Sequence, residues 1–182
     1  RDRYAQAWAE AKHDTGRIAS ARRQLRMLAR ALPAAAEALP VLRASDVVAF
    51  TGHMIDAHDR DEPRFPAPLE PAVAAALRER IARWHAPVVF ASAACGADIL
   101  MLDAALDAGA EVNVVLPFPR DEFVRTSVAP GGEGWVTRFD AALARASRVI
   151  VATTEGYLGD DVLYEYAALL VEGLATLRAT QL

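Results

Sequence analysis

The stretch Val88–Phe118, VVFASAACGADILMLDAALDAGAEVNVVLPF, decides the fold. Two apolar runs, Val88–Ala91 and Glu111–Leu116, are each too short for a helix of their own. They flank a helical stretch, Cys95–Ala108, whose inner stripe is Ile99, Leu102 and Leu106 and whose stop is Gly109. Where the first run hands over to the helix, the chain places its smallest side chains: Ser92, Ala93, Ala94, Cys95, Gly96 and Ala97. Asp98 follows in the first turn. Such a turn has two readings: something must come close to the backbone, or the packing is merely tight.

The same strand-to-helix rhythm extends in both directions. Upstream, DVVAFTGH from Asp46 is a compact β-branched and aromatic run, followed by a polar loop, MIDAHDRDEPRFPAP, too rich in Pro, Asp and His for regular structure. Glu70–Trp84 then carries Val73, Leu77, Ile81 and Trp84 at helical spacing. Downstream, an irregular stretch runs through GGEGW, then a helix is predicted over Val136–Ala146, a fourth strand over Ser147–Ala152 and a long helix over Asp161–Gln181. Strands that alternate with helices return in one direction, and their nearly continuous apolar character implies burial on both faces. The predicted fold is α/β, a Rossmann-like three-layer α/β/α sandwich with a mainly parallel sheet, preceded by N-terminal helices. Residues 1–40 are read as a helical segment and linker, rich in Ala, Arg, Gln and Leu, and 45–182 as the Rossmann-like domain. In such sheets ligands sit beyond the carboxyl ends of the strands, at a switch point in strand order.

Composition narrows the function. The net charge of −4 argues against generic nucleic-acid binding, which needs a basic surface. The apolar runs are far shorter than a membrane span. The lone Cys95 excludes an internal disulfide, so a cytoplasmic setting is expected. The sequence opens on an arginine and stops within a helical pattern, and is expected to be a piece of a larger protein. It shows no metal-ligand spacing and no G-x-S-x-G, and neither metal nor cofactor is expected.

Four loops at the strand ends carry the candidate residues. After Phe50 come Thr51, Gly52 and His53, with Arg60 and Arg64 able to clamp an anion or simply to solvate the loop. After Ala91, residues Ser92 to Gly96 expose backbone N–H groups at a helix N-terminus, and Asp98 either caps its helix or reaches a ribose hydroxyl. Cys95 reads as a small core thiol, or as a thiol whose pKa the helix N-terminus lowers. After Leu116 come Pro117 and Phe118, and then Arg120, Arg125, Ser127 and the run Gly131–Gly132–Glu133–Gly134, which read either as a mobile, anion-friendly flap or as a surface excursion with helix caps. After Ala152 come Thr153, Thr154 and Gly156, with Glu165 in the first turns of the last helix. Tyr157, Tyr164 and Tyr166 either stack on a base or pack on the sheet.

With AFTGH, ASAACGADILMLDAALDAGAEVNVVLPF and WVTRFDAALARASRVIVATTEGYLGDDVLYEYAAL in place, the chain resembles the SLOG superfamily. That group embraces the LOG phosphoribohydrolases, the DprA-type DNA-processing proteins and sensor domains for nucleotide-derived ligands. Its second loop commonly reads S-G-G-A-x-G-A-D, and Ser92–Asp98 is similar, with Ala93 and Ala94 in place of paired glycines. The resemblance covers about residues 45–178 and implies nucleotide-derived ligand binding by Thr51, Gly52, His53, Arg60, Arg64, Ser92–Gly96, Asp98, Pro117, Phe118, Arg125, Ser127, Arg138, Thr153, Thr154 and Gly156. LOG-type enzymes carry P-G-G-x-G-T-x-x-E, whereas here Thr153–Gly156 has no P-G-G and an insertion precedes Glu165. The resemblance is therefore closest to sensor-type members of larger bacterial signalling or defence proteins. It implies a homo-oligomer flanked by further domains of the same polypeptide. The alternative is a phosphoribohydrolase with Glu165 and Arg138 as its catalytic pair.

Overall fold

The computed structural model describes residues 15–57, 60–85 and 87–182. The helices expected over residues 1–14 lie outside them. The described elements are α1 (Thr15–Leu28), α2 (Pro33–Ala38), β1 (Val47–Phe50), α3 (Glu70–Ala82), β2 (Val88–Ala91), α4 (Ala97–Asp107), β3 (Glu111–Leu116), α5 (Arg120–Phe123), α6 (Glu133–Arg145), β4 (Arg148–Val151) and α7 (Val162–Gln181). The four strands form one all-parallel sheet in the order β1-β2-β3-β4.

Successive residues of each strand point to opposite faces, and both faces of the central strands β2 and β3 are covered, which gives the three-layer sandwich; the outer strands depart from the expected burial, β1 being half-buried and β4 largely exposed. Val89, Ala91, Val112, Val114 and Leu116 pack with Ile81, Ile99, Met101, Leu102, Phe123 and Phe139 from the layer of α3, α4 and α6. Val88, Phe90 and Val115 pack on the other face against Ala167, Val171 and Ala175 of α7 and Ala19 of α1. Leu25, Ala38 and Leu42 form a small satellite core that ties α1 to α2, and Arg22 donates to the Leu42 carbonyl across it.

Two expectations need correction. The segment after β3 is not an irregular flap. Beyond α5 it continues as one π-helical turn, Val124–Val128, and one 3₁₀ turn, Ala129–Gly131, so α6 begins at Glu133 and not at Val136. Phe123, Ser127 and Val128 are fully buried, so apolar burial draws this segment onto the core. Second, the strand order never reverses among the described strands, so they contain no switch point. The three strand-connecting helices share one face, and α7 crosses to the other and lies chiefly over β1, an edge strand.

Candidate functional site

The small-residue turn after β2 admits a close approach, and what approaches is the chain itself. A Cβ on Gly96 would lie 2.4 Å from Ile55 N and 2.7 Å from His53 O, and Gly96 has φ of +115°. The first loop is thus laid backbone-to-backbone on the start of α4. Ala97 N–H donates to His53 O at 3.0 Å, Ile55 N–H donates to Cys95 O at 2.9 Å, and Met54 bridges Gly96. Asp98 completes the seal. Its carboxylate accepts from Gly52 N–H at 2.9 Å and from Ala94 N–H at 3.4 Å while the residue is buried. Burial pushes its carboxyl up to about 7 against the pull of those two N–H groups.

Several sequence-level assignments change as a result. Ala93, Cys95, Gly96 and Asp98 are buried, so the α4 N-terminus offers no open anion cradle and Asp98 reaches no ribose. The Cys95 thiol is pushed up by the same desolvation, which makes it a core thiol and not an activated one. Phe118 is a core residue, in ring contact with Tyr164 (5.4 Å), Tyr157 (5.9 Å) and Phe123 (6.0 Å). Tyr157 and Tyr164 therefore pack, and Tyr166 is left exposed. Ser127 is buried, with its hydroxyl 3.0 Å from Tyr164 Oη and 3.1 Å from Thr126 Oγ1.

Three of the candidate cations, Arg60, Arg125 and Arg138, are committed elsewhere. Arg60 donates to Glu62 O at 2.8 Å and pairs with Asp56 at 3.5 Å, within its own loop. Arg64 is exposed there, its N–H given to Asp56 at 2.8 Å. Arg125 pairs with Glu122 at 3.1 Å. Arg138 is held by Asp103 (2.7 Å), Glu70 (2.8 Å) and the Trp135 ring (4.4 Å) in the α3–α4–α6 layer. Glu165 is on α7, over the opposite face, so the structure does not bring Arg138 and Glu165 together. The fourth loop also folds on itself. Thr153 Oγ1 accepts from Glu155 N–H at 3.0 Å, Thr153 is half-buried, Thr154 is exposed, and a Cβ on Gly156 would meet Glu122 at 2.5 Å.

What the fold does assemble is a cavity at the carboxyl ends of β1, β2 and β3. About 140 Å³ is enclosed by Phe50, Thr51, Ser92 and Pro117 below and by Tyr164, Ala167, Ala168 and Val171 of α7 above. Phe50, Thr51, Ala168 and Val171 also line an adjoining groove of about 740 Å³ beside β1. The rest of that groove is Ala49, Glu165, Leu169 and Glu172. Of the predicted residues, Thr51, Ser92, Pro117 and Glu165 meet here. Gly52 and His53 are exposed next to Thr51, Ala94 is half-buried near Ser92, and none of these three lines either space.

Beyond Tyr164 and Glu165, sequence reading missed the α7 contribution. Its signal was present as Glu165, Ala168, Leu169 and Glu172 on one flank of a helix that also buries Ala167, Val171 and Ala175.

The site's electrostatics are acidic. Glu165 and Glu172 are its charged lining groups, and neither forms an ion pair with a described residue. Each helix that starts at this end of the sheet carries its own acid in the first turn: Glu70, Asp98, Asp121 and Glu122, Glu133, and Glu165. These carboxylates already answer the positive ends of the helix dipoles. Among the described residues no group of His, Cys, Asp or Glu is placed to hold a metal ion, and no helix is long and apolar enough to cross a membrane. Comparison with protein-family models, with curated proteins and with solved structures gives no match.

Proposed function

We propose that the chain is a ligand-sensing domain that holds a nucleotide-derived molecule by its ribose and base at the carboxyl edge of the sheet. The observation that carries this reading is the cavity where the Thr51 and Ser92 hydroxyls arrive from neighbouring strand ends under an apolar roof of α7. Open α/β sheets hold ligands at that edge, and a few convergent polar groups in an apolar lining fix orientation. With the α4 N-terminus sealed and no charged group among the described residues that line the cavity, recognition rests on hydroxyl partners. Those suit a ribose diol or a base amine better than a phosphate. The SLOG-like sequence pattern points to the same ligand class.

Calorimetry against adenosine, AMP and ADP-ribose tests the reading. Adenosine is expected to bind no worse than AMP, and absence of binding by all three overturns it.

A phosphoribohydrolase is the second reading, and the observation favouring it is the position of Glu165 in the groove. Its weakness is Arg138, whose guanidinium is occupied in the opposite layer. Release of free base from AMP, abolished by Glu165→Gln, establishes it; absence of turnover at high protein concentration dismisses it.

A further inference from the structure

We propose that β1 is the docking edge for an extended, basic segment of a partner polypeptide, which adds to the sheet as a fifth strand in the groove under α7. The inference does not depend on the identity of the ligand.

It starts from the backbone. Val88 N–H donates to Asp46 O at 2.9 Å, and Val47 stands opposite Val88 in the register. In a parallel ladder this directs the N–H and C=O of Asp46, Val48 and Phe50 toward β2 and those of Val47 and Ala49 outward. No described residue outside β1 hydrogen-bonds the outward groups of Val47 or Ala49. A row of open donors and acceptors on a sheet edge is a template for another strand.

The walls of the groove match a strand in shape and in charge. Its lining comes from β1 and its extension (Ala49, Phe50, Thr51) and from one flank of α7, with nothing from β2, β3 or β4. It is therefore the space beside the edge strand, roofed by a helix. Ala168 and Leu169 present apolar surface there, and Leu169 is 67% exposed as it stands. Glu165 and Glu172 sit two helical turns apart, roughly 10 Å at the usual rise per residue. Among the described residues no cation lines the groove. An incoming strand with basic side chains at alternate positions on the face turned to α7 meets both carboxylates, while its backbone meets Val47 and Ala49.

Topology supplies a further reason. The described order β1-β2-β3-β4 has no reversal, although α7 has already crossed to the second face and covers β1. A strand added outside β1 creates that reversal beside Thr51, where an open α/β sheet forms its ligand crevice.

The experiment uses the whole 182-residue chain and a nine-residue synthetic peptide of alternating valine and threonine, with two valines replaced by lysine. A twin peptide with glutamate for lysine is the control. The lysine peptide is expected to bind and to slow amide exchange at Val47 and Ala49. Glu165→Lys and Glu172→Lys are each expected to weaken it about three- to fivefold at low salt. Ala49→Pro removes an outward N–H that takes no part in the β1–β2 ladder, and is expected to abolish binding. Should that variant fail to fold, the two charge reversals carry the test alone. Equal binding of the two peptides, or no change in exchange at Ala49, overturns the proposal. So does protection that appears without peptide, in step with a dimeric mass, because a second copy is then the occupant.

Discussion

The turn after β2 and the groove beside β1 lie at the same end of the sheet and differ in what fills them. At the turn, glycine and alanine make room, and the backbone of residues 53–55 takes it. Ala97 and Cys95 exchange hydrogen bonds with that segment, and Asp98 holds Gly52 and Ala94 from below. At the groove, Thr51, Glu165 and Glu172 line an open space of about 740 Å³, and neither carboxylate has an ion-pair partner among the described residues. Small side chains before a helix therefore do not by themselves mark a ligand site. They mark a close approach, and the tertiary structure decides who makes it.

The largest test of this contrast is Gly96→Val. It combines a left-handed backbone with overlap against backbone atoms, and is expected to cost about 4 kcal/mol of unfolding free energy in denaturant titration. Gly132 has φ of +102°, but a Cβ there would meet nothing within 4 Å, so Gly132→Ala is expected to cost only about 1 kcal/mol. Equal losses at the two sites would break the distinction between a sealed turn and an open one.

Next comes the pH dependence of the Asp98 clasp. Its folded pKa of about 7 lies above the ordinary aspartate value of 3.8, so between those pH values the folded chain binds the proton that the unfolded chain has released. Stability from this group is full below about pH 4 and is lost as pH rises toward 7, at up to about 1.4 kcal/mol per pH unit. Asp98→Asn is expected to remove that slope in urea titrations at pH 5, 6, 7 and 8. An unchanged slope assigns it to other groups.

The smallest effect on stability is expected in the open region. Thr51→Val and Ser92→Ala are predicted to shift unfolding free energy by less than about 0.5 kcal/mol. Each is expected to weaken adenosine binding about fivefold by calorimetry, as loss of one hydrogen bond requires. Ala168→Trp fills the groove from its α7 wall and is expected to lower that affinity further at near-constant stability. A large destabilisation by any of the three would mean that the cavity is part of the core.

Much of the fold was legible in the sequence because short apolar runs and helical spacing are local signals. Val88–Ala91 and Glu111–Leu116 form strands with the predicted ends, and Glu70, Ala97 and Val162 start helices within two residues of the expected positions. The segment after Leu116 was not legible. Its helical, π and 3₁₀ turns are held by the burial of Phe123, Ser127 and Val128 against elements distant in sequence. The candidate site divides the same way. Thr51, Ser92, Pro117 and Glu165 follow from strand ends and a helix start, whereas Asp98, Phe118 and Arg138 are claimed by partners far away in the chain: Gly52, Tyr164 and Glu70.

By itself, the sequence determined that strands and helices alternate, that the strands are parallel, and which residues stand at their carboxyl ends; of the burial expected for all four strands, only β2 and β3 show it. Periodicity and turn chemistry act over a few residues, and the chain carries both in plain order. Only the tertiary structure decided which of those ends are open. Competition for the space above the strands is settled by long-range packing: the first loop occupies the α4 N-terminus, while α7, crossing to the other face, leaves the edge of β1 and the α7 carboxylates Glu165 and Glu172 without a partner among the described residues.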